Sequence, residues 1–153
     1  MIDPIIKSVL VPLTPQEAFN LFLSDLDKWW PSASHSVSGS KNHRPKLVIE
    51  PFTGGKILEL GTDGTQHIWG TILGWDDGEY VSFTWHPGRS ADEATVVSIQ
   101  FSAVKEGCKV NLTHGGFDIL GPQADAISTS YLTGWDMVLG CYSRSAVSQI
   151  AFA

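Results

Sequence analysis

The stretch Thr95–His114, TVVSIQFSAVKEGCKVNLTH, decides the fold. In Thr95–Ala103, Val97, Ile99 and Phe101 alternate with Val96, Ser98 and Gln100. In Lys109–His114, Val110, Leu112 and His114 alternate with Lys109, Asn111 and Thr113. A period of two puts each set on its own face of a pleated strand. Glu106-Gly107 between them is hairpin-grade turn chemistry. The stretch therefore predicts an antiparallel pair with one buried face, and His114 falls on that face.

The same pattern extends upstream. In Tyr80–His86, Val81, Phe83 and Trp85 oppose Ser82, Thr84 and His86. His67–Trp75 is ambiguous, because both phases carry large apolar residues and Gly70 or Gly74 can mark a bulge. Lys56–Leu60 and Leu47–Glu50 complete six strands, most of them separated by Gly54-Gly55, Asp63-Gly64 and Asp77-Gly78, while His86-Pro87-Gly88 opens the remaining loop. Strands at this spacing predict a meander. Nearer the start, Ile5–Val11 reads as a first strand. Thr14-Pro15-Gln16-Glu17 then supplies a cap, a proline for the first helical position and a capping-box glutamate. A short helix to about Leu23 and a second over Asp25–Trp30 follow, stopped by Pro31. Ser32–Pro45, rich in Ser, Gly, His and Asn, reads as a mobile loop and a candidate lid.

Downstream, Gly121-Pro122 opens a helix running to about Ile150. At about 100° per residue, Ile127, Tyr131, Trp135, Val138, Tyr142 and Ala146 share one arc, with Asp125, Thr129, Asp136, Ser143 and Arg144 opposite. Gly134 lies at the edge of the apolar arc, where a missing side chain leaves room. The order β-α-α-β6-α predicts an α+β protein over residues 1–153 as a single domain. A curved seven-stranded antiparallel sheet would hold the long helix across its concave face.

Composition narrows the function. The 153 residues are 42% hydrophobic and 17% charged, which excludes a disordered chain. The net charge of −6 repels phosphate backbones, so nucleic acid is not an expected partner. No apolar run is long enough for membrane insertion, and the N-terminus does not read as a signal peptide. Two cysteines, Cys108 and Cys141, make neither a disulfide scaffold nor a CxxC site, and the expected location is cytoplasmic. The five histidines show no HxxxH or HExxH spacing, so no metal is expected, and no cofactor either. No GxSxG elbow is present.

Several segments carry a family resemblance. They are Thr14–Phe22 (TPQEAFNLF), Trp29-Trp30-Pro31 with His35-Ser36, Glu50–Glu59 (EPFTGGKILE), Trp69-Gly70, Phe83–Arg89 (FTWHPGR), Ala94-Thr95-Val96, Leu112–Gly115 (LTHG), and Gly134-Trp135-Asp136 with Tyr142. In this order they resemble the activator of heat-shock-protein ATPase homologue-like branch of the START-like, Bet v 1-like (SRPBCC) superfamily. The resemblance implies a helix-grip fold with an internal cavity between sheet and C-terminal helix, used in the superfamily for apolar ligands and in some members for chemistry such as cyclisation. The chain leaves no room for the co-chaperone's separate N-terminal domain, so a chaperone partner is not expected.

The expected function is binding of a small hydrophobic, aromatic-containing ligand in that cavity. Its wall would be built from Trp29, Trp30, Trp69, Phe83, Trp85, Leu112, His114, Tyr131, Trp135 and Val138. Pockets are mostly apolar with a few placed polar groups, and His114 would be one of these. The reading favours binding over catalysis and assigns no catalytic residue. If the cavity hosts cyclase, dehydratase or isomerase chemistry, His114 assisted by Tyr131 would move the proton. A chaperone-interaction module is the third alternative. Arg89 reads as a solvated loop charge, or else as a clamp for a ligand carboxylate. An exposed sheet edge or the helix C-terminus could support a homodimer.

Overall fold

The structure, a computed structural model, describes residues 2–151. Seven strands form one antiparallel sheet: β1 (Ile5–Val11), β2 (Lys46–Ile49), β3 (Lys56–Leu60), β4 (Gln66–Asp76), β5 (Tyr80–Trp85), β6 (Thr95–Val104) and β7 (Gly107–Gly115). The spatial order is β1-β7-β6-β5-β4-β3-β2, so the N-terminal strand closes one edge beside β7. The sheet curls into a half-barrel around a long C-terminal helix, the helix-grip arrangement. No helix of the described residues is long and apolar enough to cross a membrane.

Register follows alternation. Val97 pairs with His114, Ile99 with Leu112 and Phe101 with Val110, and all six side chains are buried. Val81, Phe83 and Trp85 extend the same buried face through β5. The ambiguous strand is resolved by two irregularities. Ile57 pairs with Gly70 but Leu58 with Ile68, and Ile72 pairs with Phe83 but Gly74 with Ser82. Each leaves one extra residue in β4, which resets the phase. As a result Trp69, Ile72 and Trp75 all face the helix side at a spacing of three. Gly70 is required at the first irregularity, since a Cβ there would stand 1.7 Å from the Thr84 carbonyl oxygen.

The helix starts behave as their sequences dictate. Helix α1 (Pro15–Phe22) opens with the full capping box: Thr14 Oγ1 accepts from the Glu17 amide, and Glu17 accepts from the Thr14 amide. Helix α2 (Leu26–Trp29) is one turn long. The last helix, α3 (Ala124–Ala151), begins later than the sequence suggests. A 3₁₀ segment, Phe117–Gln123, precedes it, and Gly121 at φ 60° breaks the path before α-geometry can set in. The arc Trp135, Val138, Tyr142 and Ala146 is buried against the sheet, and the Tyr142 hydroxyl donates to the Ala18 carbonyl at 2.8 Å, tying α3 to α1. Lys7 on β1 pairs with Asp136 at 2.8 Å on the other flank of α3.

Candidate functional site

At one end of the half-barrel a cleft of about 860 Å³ lies between three elements. Helix α3 contributes Ser130, Tyr131, Thr133, Gly134, Trp135, Met137 and Val138; the loop after α2 contributes Ser34–Val37; Pro87 and Gly88 follow β5. Trp30, Trp69 and Trp85 complete the lining. No Asp, Glu, Lys or Arg side chain is among these residues. The polar side chains of the lining are Ser34, His35, Ser36, Ser130, Tyr131 and Thr133, of which Ser34, Ser36 and Thr133 donate to the carbonyls of Pro31, Ser32 and Thr129.

The floor is a mutual packing of indoles. Ring centroids are 5.3 Å apart for Trp30 and Trp69, 5.5 Å for Trp69 and Trp85, 5.6 Å for Trp85 and Trp135, and 6.1 Å for Trp30 and Trp135. Most pairs are tilted or edge-to-face, the geometry favoured by the ring quadrupole. These four side chains are nearly sealed from solvent, so they fill the inner part of the space and leave the cleft above them.

Of the residues chosen from sequence, Trp30, Trp69, Trp85, Tyr131, Trp135 and Val138 meet at the cleft. Trp29, Phe83, Leu112 and His114 do not line it. The Trp29 ring packs on Phe22 and Tyr142 at 5.0 and 5.1 Å, and its Nε1 donates to the Leu21 carbonyl. Phe83 stacks beside Trp85 at 5.5 Å, and Leu112 lies within the sheet core.

His114 is fully buried, and both ring nitrogens are occupied. The Trp135 indole N–H donates to Nδ1 at 2.9 Å. An indole nitrogen can only donate, so Nδ1 must accept and the proton sits on Nε2. Nε2 is 2.6 Å from Thr95 Oγ1, which donates onward to the Trp85 carbonyl at 3.1 Å. Burial pushes the imidazole pKa down to about 3. The side chain is thus a neutral bracket that holds Trp135 and Trp85, two walls of the cleft, in place. Tyr131 is half-buried, and burial raises its phenol pKa, opposed by the nearby Arg89 guanidinium. Arg89 itself is bridged to Glu93 at 3.2 Å.

One residue escaped the sequence reading. Glu59 on β3 has no exposed surface. Its carboxylate accepts from the backbone amides of Val37 at 2.8 Å and Ser38 at 2.7 Å, from the Ser38 hydroxyl, and from Trp69 Nε1 at 2.9 Å. Burial by itself raises its pKa, but those donors together outweigh burial and hold the carboxyl below its ordinary value. Glu59 therefore fastens the cleft's rim to its floor. The segment Ser32–Pro45, expected from sequence to be a mobile loop and candidate lid, is therefore anchored over its first half. Ser32–Ser38 is tied down by Glu59, by Trp30 Nε1 donating to the His35 carbonyl at 2.7 Å, and by a close turn at Gly39, where a Cβ would meet the Ser32 carbonyl oxygen at 1.9 Å. Only the stretch from Ser40 to Arg44 is exposed throughout.

A half-barrel gripping one long helix, with an aromatic cleft at the end of the grip, defines a helix-grip protein. The chain belongs to the family described as Activator of Hsp90 ATPase homolog 1-like protein, whose model matches residues 12–140. Among solved structures it is similar to the anthrahydroquino-gamma-pyrone synthase Txn09 complexed with SUM, at 30% identity over 82% of this chain and 84% of that one, with a TM-score of 0.58. It is also similar in fold to protein MLL2253 from Mesorhizobium loti (13% identity, 95% and 97% covered, TM-score 0.70). The Aha1 dimer from Colwellia psychrerythraea is similar again (14% identity, 95% and 96% covered, TM-score 0.68). Comparison with curated proteins gives no match.

Proposed function

We propose that the chain binds a small, flat, aromatic-containing ligand in the cleft between the Ser34–Val37 rim and α3. The observation that carries this is the lining itself: Val37, Pro87, Tyr131, Met137 and Val138 over a base of packed indoles, with a few polar side chains and no Asp, Glu, Lys or Arg among the described residues that line it. An uncharged wall suits an apolar body with a few oxygen functions, since burying an unpaired charge is costly. Burying about 250 Å² of apolar ligand surface supplies roughly 6 kcal/mol before ordering costs. The 30%-identical relative is a synthase named for an anthrahydroquino-gamma-pyrone, which is consistent with a fused-ring occupant.

The test is a titration with an uncharged hydroxyanthraquinone and, in parallel, a long-chain fatty acid, followed by tryptophan emission. Saturable one-to-one quenching by the anthraquinone, weaker for the acyl chain, is expected. No saturable response to either overturns the reading. The same relative's being a synthase supports a second reading, an enzyme. With both nitrogens of His114 occupied and His114 outside the lining, that reading rests on the Tyr131 hydroxyl and the His35 imidazole, which both line the cleft. Turnover of a bound probe that Tyr131→Phe abolishes while binding persists would move the assignment there.

A further inference from the structure

We propose that the His35 imidazole is the hydrogen-bond acceptor that anchors the ligand, so that the cleft selects flat aromatic compounds carrying a free hydroxyl over the same ring systems without one. The inference rests on the ligand-binding reading above and names the substrate class within it. Of the polar residues of the lining, His35, Ser36 and Tyr131 are half-buried, while Ser34, Ser130 and Thr133 are exposed. Ser36 is already engaged within the rim: its hydroxyl donates to the Ser32 carbonyl and accepts from the Gly39 amide at 2.9 Å. The Tyr131 oxygen has the Arg89 guanidinium beside it as a donor, so it offers a ligand its proton rather than a lone pair. The acceptor role therefore falls to His35.

The ring is oriented by its neighbours. Nδ1 lies 2.8 Å from Ser34 Oγ. The Ser34 hydroxyl has one proton and gives it to the Pro31 carbonyl, which can only accept. Nδ1 must then donate to Ser34, and Nε2 carries the bare lone pair. Nε2 has no partner among the described residues, whereas every buried side-chain nitrogen and oxygen there has one, so Nε2 is open to the cleft that His35 lines. The residue is also held in place. Its amide donates to the Pro31 carbonyl at 2.8 Å, and its carbonyl accepts from Trp30 Nε1 at 2.7 Å. The Cδ2 edge of the ring rests on α3, 3.9 Å from where a Cβ would stand at Gly134. An acceptor fixed in an uncharged wall strengthens binding of a hydroxyl, and it is left desolvated without a partner when the ligand has none.

The experiment is calorimetric titration with fluorenone, 2-hydroxyfluorenone and 2-methoxyfluorenone, all flat and uncharged at neutral pH. It compares wild type with His35→Phe, His35→Ala and His35→Gln. Phenylalanine keeps a ring, alanine removes it, and glutamine keeps an acceptor oxygen near the place of Nε2. Wild type is expected to bind the hydroxyl compound about tenfold more tightly than its methyl ether. His35→Phe and His35→Ala should bring that ratio to about twofold or less while still binding fluorenone, and His35→Gln should keep part of it. Equal wild-type affinity for hydroxyl compound and ether would overturn the inference and leave the binding reading intact. A preference that survives in both His35→Phe and His35→Ala would also overturn it, since another group would then accept the hydroxyl. So would loss of fluorenone binding in those two variants alike, because His35 would then be a structural part of the rim. A wild type that binds none of the three compounds removes the binding reading and this one with it.

Discussion

Replacing Glu59 by Gln keeps the side chain's size but removes the charge to which Val37, Ser38 and Trp69 donate. An amide also turns one end of the group into a donor facing other donors. Hydrogen bonds to a charged group are worth more than neutral ones, and a buried mismatch adds its own cost. Glu59→Gln is expected to lose about 2 kcal/mol of stability in urea denaturation. Amide exchange at Val37 and Ser38 should quicken in the same variant. Protection of those two amides at the wild-type level would show that other contacts hold the rim. His114 acts differently at the same scale. It bridges Thr95 and Trp135, so its effect on any ligand passes through the indoles it positions.

Elements with one buried face were legible from the sequence. In β5, β6 and β7, strict alternation gave both the pairing face and the inward direction of Trp85 and His114. Strand β4 was not legible, because its two irregularities place Trp69, Ile72 and Trp75 on one face at odd spacing, which no period of two can express. Glu59 shares its phase with inward Ile57, and that was the available signal. Leu58 and Leu60 on the other phase masked it, and its donors come from a loop some twenty residues away. Trp29 and Trp30 are neighbours in the chain, yet only Trp30 meets the cleft. A single helical turn carries too little periodicity to tell them apart. Between elements, the α3–α1 tie has a simple expectation. Tyr142→Phe deletes the bond to the Ala18 carbonyl and should cost about 1 kcal/mol in chemical denaturation. Probe affinity should stay the same, because Tyr142 is not a lining residue. A change in affinity would mean that α3 shifts when the tie is cut.

Over the whole molecule, two buried groups set the response to acid. His114 has a folded pKa of about 3 against an ordinary 6.5, so below pH 6.5 the unfolded chain takes a proton that the folded chain refuses. Stability from this source is complete above pH 6.5 and declines as pH falls toward 3, by about 1 kcal/mol between pH 6.5 and 5.5. Glu59 adds to the decline. Its folded carboxyl titrates below the ordinary 4.5, so its contribution is present above 4.5 and is lost beneath it. Urea midpoints are therefore expected to be level from neutrality to about pH 8, to fall below pH 6.5 and to fall more steeply below 4.5, with a separate alkaline decline above about pH 9 where the unfolded chain ionises Cys108, Tyr131 and Tyr142 and the folded chain resists it. His114→Gln should lower the midpoint at neutral pH but flatten the upper part of the slope. A slope unchanged in that variant would place the titration elsewhere.

The packed indoles at the base of the cleft have an optical consequence. Trp30, Trp69, Trp85 and Trp135 stand with ring centres only 5.3–6.1 Å apart between neighbours. At such separations excited states are shared, and a photon absorbed by one ring migrates to the rest before it is emitted. The group behaves as an antenna with a single exit. An acceptor bound in the cleft above them drains all four, and the coupled transitions are expected to give the chain an exciton signature in far-ultraviolet circular dichroism that changes when one ring is turned.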